Sequence, residues 1–205
     1  HDYLNVDYSN AEKVKAAAER HAKKTSKTYH ILINNTGGPA GGKIFDAKED
    51  EFVKAFEAHL LCNHALTTLF AEGMKKDGYG RVINIISTSV KQPLPNLGVS
   101  NTIRAAVANW SKTMASELGA FGITVNNVLP GATETDRLKQ IVKAKSDKLK
   151  VAEDSVQQEM LAEIPMKRFG KAEEVANAVA FLASPAAAYI NGINVPVDGG
   201  RTLSL

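Results

Sequence analysis

Apolar and polar positions along the chain fall into two alternating kinds of segment. Short β-branched or apolar runs at His30–Ile33, Val82–Ile86, Ile123–Leu129 and Ile193–Val197 read as buried strands, and Tyr3–Val6 reads as a further one. Between them lie longer stretches with apolar residues at helical spacing: Ala11–Lys24, Glu49–Lys76, Ser100–Leu118 and Ala172–Ala183. Ser9 or Asn10 is placed to cap the first helix. This alternation predicts an α/β fold, a doubly wound parallel sheet with helices on both faces. One stretch departs from the pattern. Arg137–Glu163 is rich in Lys, Asp, Glu and Gln and reads as one or two exposed helices beside the sheet, a lid insertion or a solvated excursion at about 137–163.

The chain has 205 residues, enough for a single domain, and 44% of them are hydrophobic, enough for a sizeable core. A net charge of +3 gives no electrostatic reason to expect nucleic acid or an anionic membrane as partner. No apolar run approaches the roughly 20 residues needed to span a bilayer. The single cysteine, Cys62, cannot form an internal disulfide, which fits a cytoplasmic protein, and it reads as helix packing.

Ligands of open parallel sheets bind beyond the C-terminal ends of the strands. The loops to inspect are therefore 34–42, 87–98 and 130–137, all rich in Gly, Pro, Ser, Thr or Asn. Taken in order they resemble the short-chain dehydrogenase/reductase family, most of all its 3-oxoacyl-carrier-protein reductase branch. Asn34-Asn35-Thr36-Gly37 resembles the family's Asn-Asn-Ala-Gly turn, and Gly80 through Ser87 resembles the strand that ends in the catalytic serine. Pro130-Gly131-Ala132-Thr133-Glu134-Thr135 resembles the turn over the nicotinamide. Arg168-Phe169-Gly170, Glu173-Glu174-Val175-Ala176, Phe181-Leu182-Ala183-Ser184 and Val197-Asp198-Gly199-Gly200 resemble its C-terminal sequence.

The resemblance implies a Rossmann-type domain that binds NADP or NAD, with its opening strand, Gly-rich turn and helix absent. The family layout places roughly 50 residues before His1. The cluster Gly37, Gly38, Gly41, Gly42 follows a later strand and lacks the dinucleotide fingerprint spacing. Implied cofactor contacts are Asp7 at the adenine, the turn Asn34, Thr36 and Gly37, which braces the central sheet while its backbone passes the adenosine ribose, and Pro130, Gly131, Thr133 and Thr135 near the nicotinamide. Asp7 has a second reading, as a helix cap.

The implied catalytic set is altered. Ser87 matches the family serine, but Ser100 stands at the tyrosine position, Arg104 at the lysine and His59 at the asparagine. Arg104 is still expected to bond ribose hydroxyls and stabilise negative charge. A serine is a far weaker acid than a tyrosine, so His59, the one member with an ordinary pKa near neutrality, is expected to supply the proton through Ser100 or a water. The competing reading is a catalytically impaired nucleotide-binding or scaffold protein; a lyase or isomerase is a third. Lys91 and Gln92 could touch a small carbonyl or alcohol substrate, and the lysines of 139–150 could meet an acidic carrier. His64 reads as surface or interface. The stripes Phe52, Phe56, Leu60 and Val107, Trp110, Met114 permit a homodimer or homotetramer. No metal site is expected.

Overall fold

The computed structural model describes residues 2–204. The four strands β1 (Ile31–Asn35), β2 (Gly80–Ile85), β3 (Ile123–Pro130) and β4 (Asn194–Val197) form one parallel sheet in the order β1-β2-β3-β4. Parallel strands need crossovers, and the helices supply them. They are α1 (Ala11–Thr25), α2 (Glu49–Phe56), α3 (Cys62–Asp77), α4 (Gly98–Leu118), α5 (Asp136–Leu149), α6 (Glu153–Ala162) and α7 (Ala172–Ala183).

Period-two alternation assigns the strand side chains to the two faces. On one face Val82 and Val125 meet Ala71 and Met74 of α3 and Met114, Ala115 and Leu118 of α4. On the other, Ile83 and Val128 meet Leu182, Val175 and Val179 of α7. Helix α1 lies outside α3, joined through Val14, Ala18, Cys62 and Leu66. Helices α5 and α6 pack on each other over a small separate cluster, Leu138, Val142 and Val156, with Phe169 and Ala132 beneath. The 137–163 stretch is therefore a helical hairpin.

An amide row crosses the sheet on the α4 face. Asn34, Asn84, Asn127 and Asn194 are register partners on β1 to β4. Asn34 Nδ2 donates to Asn84 Oδ1 (2.8 Å), Asn84 Nδ2 donates to Asn127 Oδ1 (3.0 Å) and to Ser111 Oγ (3.2 Å), and Asn127 Nδ2 donates to Asn194 Oδ1 (2.8 Å). A one-residue slip of any strand would throw its amide to the other face, so the row fixes register.

Two sequence expectations are corrected. Tyr3–Val6 is not a strand, because among the described residues no neighbouring strand offers it a hydrogen-bond ladder. The Glu49–Lys76 stretch is not one regular helix, because a π turn at Glu57–Leu61 separates α2 from α3. The extra residue in that turn shifts the apolar phase between the two halves and turns His59 inward. Asn10, not Ser9, caps α1, its side chain accepting from the Lys13 N–H.

Candidate active site

The β1, β2 and β3 C-termini, the π turn and the first turns of α4 converge on one region. Ser87 leaves β2 as the N-cap of a 3-10 turn, Thr88–Val90, and its Oγ accepts from the Ser89 N–H at 3.1 Å. That bond fixes the oxygen and leaves the hydroxyl hydrogen free to donate outward. Helix α4 packs on the 3-10 turn and carries Ser100 and Arg104. Four residues apart, they share one helix face. Ser100 is buried, and its hydroxyl has no protein partner among the described residues.

Arg104 is 6% exposed. Its Nη1 donates to the Ile85 carbonyl at 2.9 Å, and its Nη2 lies under the loop leaving β1, where a Cβ added at Gly38 would stand 3.8 Å from it. Nε is buried without a partner, and no carboxylate pairs with the guanidinium among the described residues. Burial lowers its pKa to about 10, leaving it charged at neutral pH. Above it, Gly37 faces open space, so a ligand can approach that backbone closely.

His59 is 2% exposed, with its Nδ1 hydrogen-bonded to Thr36 Oγ1. Burial first, and the Arg104 charge second, push its pKa down to about 3. The expectation that His59 titrates near neutrality is thereby corrected. In a dry site beside a fixed cation the imidazole stays neutral at pH 7, so no imidazolium is available to deliver a proton.

The turn after β3 is built tightly. The Gly131 N–H donates to the Val197 carbonyl, and a Cβ there would stand 2.7 Å from Asp198 Cα and Cβ. Gly131 is thus required by packing against the end of β4, whatever ligand passes it. Thr133 Oγ1 donates to the Gly131 carbonyl, and Thr135 Oγ1 to the Thr133 carbonyl, each at 3.3 Å. These bonds hold the turn under Pro130, whose ring ends β3, at the mouth of the site.

Other sequence candidates lie elsewhere. Asn34 is the first member of the amide row, so its side chain braces the sheet, the role the resemblance implies for this turn. Both carboxylate oxygens of the exposed Asp7 accept from Ser9, the backbone N–H at 2.9 Å and the hydroxyl at 2.8 Å, a local turn ahead of α1; the capping reading of Asp7 is corrected, because Asn10 caps that helix. Gln92 and Lys91 meet the C-terminal tail: Gln92 Oε1 accepts from the Leu203 N–H, and the Lys91 carbonyl from the Ser204 hydroxyl. Exposed His64 accepts from Trp110 Nε1 at 3.3 Å. Cys62 is fully buried, its thiol raised to about 11 by burial, which makes it a packing group. Of the two apolar stripes, Val107 and Met114 are core, and Phe52 and Leu60 pack in core clusters. Lys139 and Lys145 are paired with Asp136 and Glu159.

Three features carried no sequence signal. The Ile85 carbonyl anchors the guanidinium, which only the fold reveals. Arg137, at the start of α5, donates to the Pro39 carbonyl at 2.9 Å and ties the hairpin to the β1 loop. A cleft of about 330 Å³ is lined by Gly41, Gly42, Asp46, Glu51, Val99 and Lys148, so it opens between that loop and the hairpin.

Comparison with known proteins bears on the family and the fold. A family model described as enoyl-(acyl carrier protein) reductase matches residues 1–202. The 3-oxoacyl-[acyl-carrier-protein] reductase FabG of Pseudomonas aeruginosa is 34% identical over 203 residues, 98% of this chain and 76% of that protein. The 7alpha-hydroxysteroid dehydrogenase of Escherichia coli is 32% identical over 97% of this chain and 73% of its own length. Among solved structures, YwfH, an NADPH-dependent reductase involved in bacilysin biosynthesis, superposes with a TM-score of 0.91 at 31% identity, covering 98% of this chain and 78% of that one. The L-sorbose reductase of Gluconobacter frateurii, complexed with NADPH and L-sorbose, gives 0.90 at 30% identity, covering 98% and 77%.

Proposed function

The chain belongs to the short-chain dehydrogenase/reductase family of NAD(P)-dependent oxidoreductases, and from that premise we propose that it moves a hydride between a nicotinamide and a small carbonyl or alcohol substrate, with 3-oxoacyl compounds the first to test. The observation that carries this reading is the convergence of the Ser87 hydroxyl, the Ser100 hydroxyl and an unpaired, buried Arg104 guanidinium at the C-terminal ends of β1 and β2. Such donors suit a carbonyl oxygen that gains negative charge.

The residues present fit the nicotinamide end of NADP or NAD. The unpartnered Nε of Arg104 and the open face at Gly37 leave room and donors for a ribose, and the turn of Pro130, Gly131, Thr133 and Thr135 would border the ring. At the adenine end, Asp7 has both oxygens engaged by Ser9. When bound, the nicotinamide supplies or accepts the hydride. In the reducing direction, Ser87 donates its hydroxyl hydrogen to the substrate oxygen and polarises the carbonyl. Arg104 stabilises the developing alkoxide. Ser100 passes on a proton that comes from solvent, because neutral His59 holds Thr36 and does not deliver one. General acid catalysis contributes about 10²–10⁴-fold where a tuned acid is present, so a slow turnover is expected here.

The test follows absorbance of the reduced nicotinamide with protein carrying this chain, over ketones and alcohols and over pH. Serine hydroxyls, His59 at about 3 and Arg104 at about 10 all titrate outside the range between about pH 5 and 8, so the rate is expected to lack a bell-shaped optimum there. Cofactor binding without turnover of any carbonyl or alcohol would refute the reading. The protein is further proposed to be cytoplasmic, with Ser87, Ser100 and Arg104 acting within one Rossmann-type domain that the α5–α6 hairpin covers as a lid. A homodimer or homotetramer is proposed through the outer faces of α2 to α4, where Phe56 is 39% exposed, and through the β4 edge. No described helix is long and apolar enough to cross a membrane.

A further inference from the structure

Ser87 and Ser100 stand 13 positions apart, and the segment that joins them sets how far apart their hydroxyls lie. Both ends of that segment are held by backbone bonds. At the β2 end, the Val90 N–H donates to the Ser87 carbonyl and the Lys91 N–H to the Thr88 carbonyl. At the α4 end, the Gly42 N–H donates to the Asn96 carbonyl at 2.7 Å and the Gly98 N–H to the Gly42 carbonyl at 3.1 Å, across a turn in which Asn96 has a φ of 59°. The middle reads Pro93-Leu94-Pro95. Proline has no N–H, so Leu94 offers the only backbone donor of the three. Asn101 takes up both of its backbone groups: Asn101 Nδ2 donates to the Leu94 carbonyl at 2.9 Å, and Asn101 Oδ1 accepts from the Leu94 N–H at 3.4 Å. A side-chain amide carries a donor beside an acceptor, which is what one residue's C=O and N–H require.

Asn101 directly follows Ser100 in the first turn of α4. The N-cap of that helix, Leu97, makes no side-chain capping bond. Helical Cβ atoms lean toward the N-terminus, so residue 101 reaches back over the helix start onto the loop, while Ser100, about 100° away around the helix, stays on the face of Arg104. Resting on the oxidoreductase reading above, we propose that Asn101 is a positioning residue for the reaction: through Leu94 it ties the 91–97 segment to the helix turn that carries Ser100, and so fixes Ser100 relative to Ser87. It acts on the two serines only through this backbone. A substrate oxygen that meets two hydroxyls at once needs their separation held, and a misplacement of about 1 Å can cost about 10²-fold in rate.

Asn101→Ala removes both bonds. The expected result is a kcat lower by about 10- to 100-fold, with the KM and Kd for the nicotinamide within about twofold of the parent. Asn101→Asp separates positioning from packing. It has the same shape, but it loses the donor and sets a carboxylate oxygen against the Leu94 carbonyl, so its kcat falls at least as far as that of Asn101→Ala. Thr102→Ala is the neighbouring control. Its hydroxyl bonds only the Gly98 carbonyl of the same helix, and its loss leaves kcat within about twofold. A parental kcat in Asn101→Ala or in Asn101→Asp, or a fall that Thr102→Ala shares, overturns the proposal and leaves the oxidoreductase reading standing. Should the parent turn over no carbonyl or alcohol, that reading fails, and hydrogen exchange across residues 92–104 decides this one. Exchange there about tenfold faster in Asn101→Asp than in the parent, with the rest of the chain unchanged, supports the tie, and unchanged exchange overturns it.

Discussion

Removal of the Asn84 side chain is the sharpest test of how this sheet is held. Asn84 is fully buried at the middle of the amide row, accepting from Asn34 Nδ2 and donating to Asn127 Oδ1 and Ser111 Oγ. In Asn84→Ala those three bonds go, and none of the three abandoned groups can reach water, because Asn34 is 1%, Asn127 2% and Ser111 0% exposed. Each buried group left unsatisfied costs about 1–3 kcal/mol, so the three together cost about 3–9 kcal/mol. That is a large fraction of the roughly 5–15 kcal/mol that holds a typical domain. The assay is urea unfolding followed by far-UV circular dichroism, with the slope checked so that a shifted midpoint can be read as stability. Asn84→Ala with Asn127→Ala should cost less than the sum of the single changes, because the second removes a group the first had orphaned. Ser111→Ala, which loses only the longest of the three bonds, should cost roughly 0.5–1.5 kcal/mol. An Asn84→Ala protein within about 1 kcal/mol of the parent, or an additive double variant, would refute the claim that the row carries register and stability.

Three more outcomes follow from the same coordinates. His59 has its pKa lowered from 6.5 to about 3, so the unfolded chain binds its proton more readily; stability is full above pH 6.5 and falls as pH drops toward 3. The loss by pH 5 is about 2 kcal/mol at 1.36 kcal/mol per unit, and His59→Gln should flatten that slope when Tm is recorded from pH 7.5 to 5. Leu182→Ala empties a 1% exposed position between α7 and the sheet and should cost about 2–5 kcal/mol by denaturant titration; a cost below 1 kcal/mol would contradict the packing of that face. Gly98→Ala puts a Cβ 2.5 Å from Ile44 Cβ and 2.6 Å from Ile44 Cα, so about 1–3 kcal/mol should be lost and the start of α4, which carries Ser100, should shift; unchanged Tm and unchanged kcat together would argue against that contact.

Period alone gave the alternating strands and helices, because each strand is a short apolar run and each helix shows an apolar stripe, and both patterns are local. The same locality explains the errors. Tyr3–Val6 has a strand's composition, but a strand exists only where a neighbour completes its ladder. The π turn at Glu57–Leu61 left no mark in composition, and it decides that His59 points inward. The stripe on α4 could not tell the core residues Val107 and Met114 from an interface, since burial depends on what lies opposite.

At the site, the sequence by itself determined which residue types stand at the loop ends: Ser87, Ser100, Arg104, His59 and the glycines beside them. It also determined that they follow strands, where ligands of parallel sheets bind. Only the tertiary structure decided what those groups can do. Burial and a neighbouring cation turn His59 from a titrating group into a neutral one, and both are properties of surroundings assembled from distant segments. The row of Asn34, Asn84, Asn127 and Asn194 reads in sequence as separate polar residues within or beside apolar runs; parallel register makes it one chain of hydrogen bonds. Arg104 shows the division most plainly. Its charge is written in the sequence, but which edge is spent and which is free depends on a β2 carbonyl 19 residues away along the chain, brought into reach by the fold.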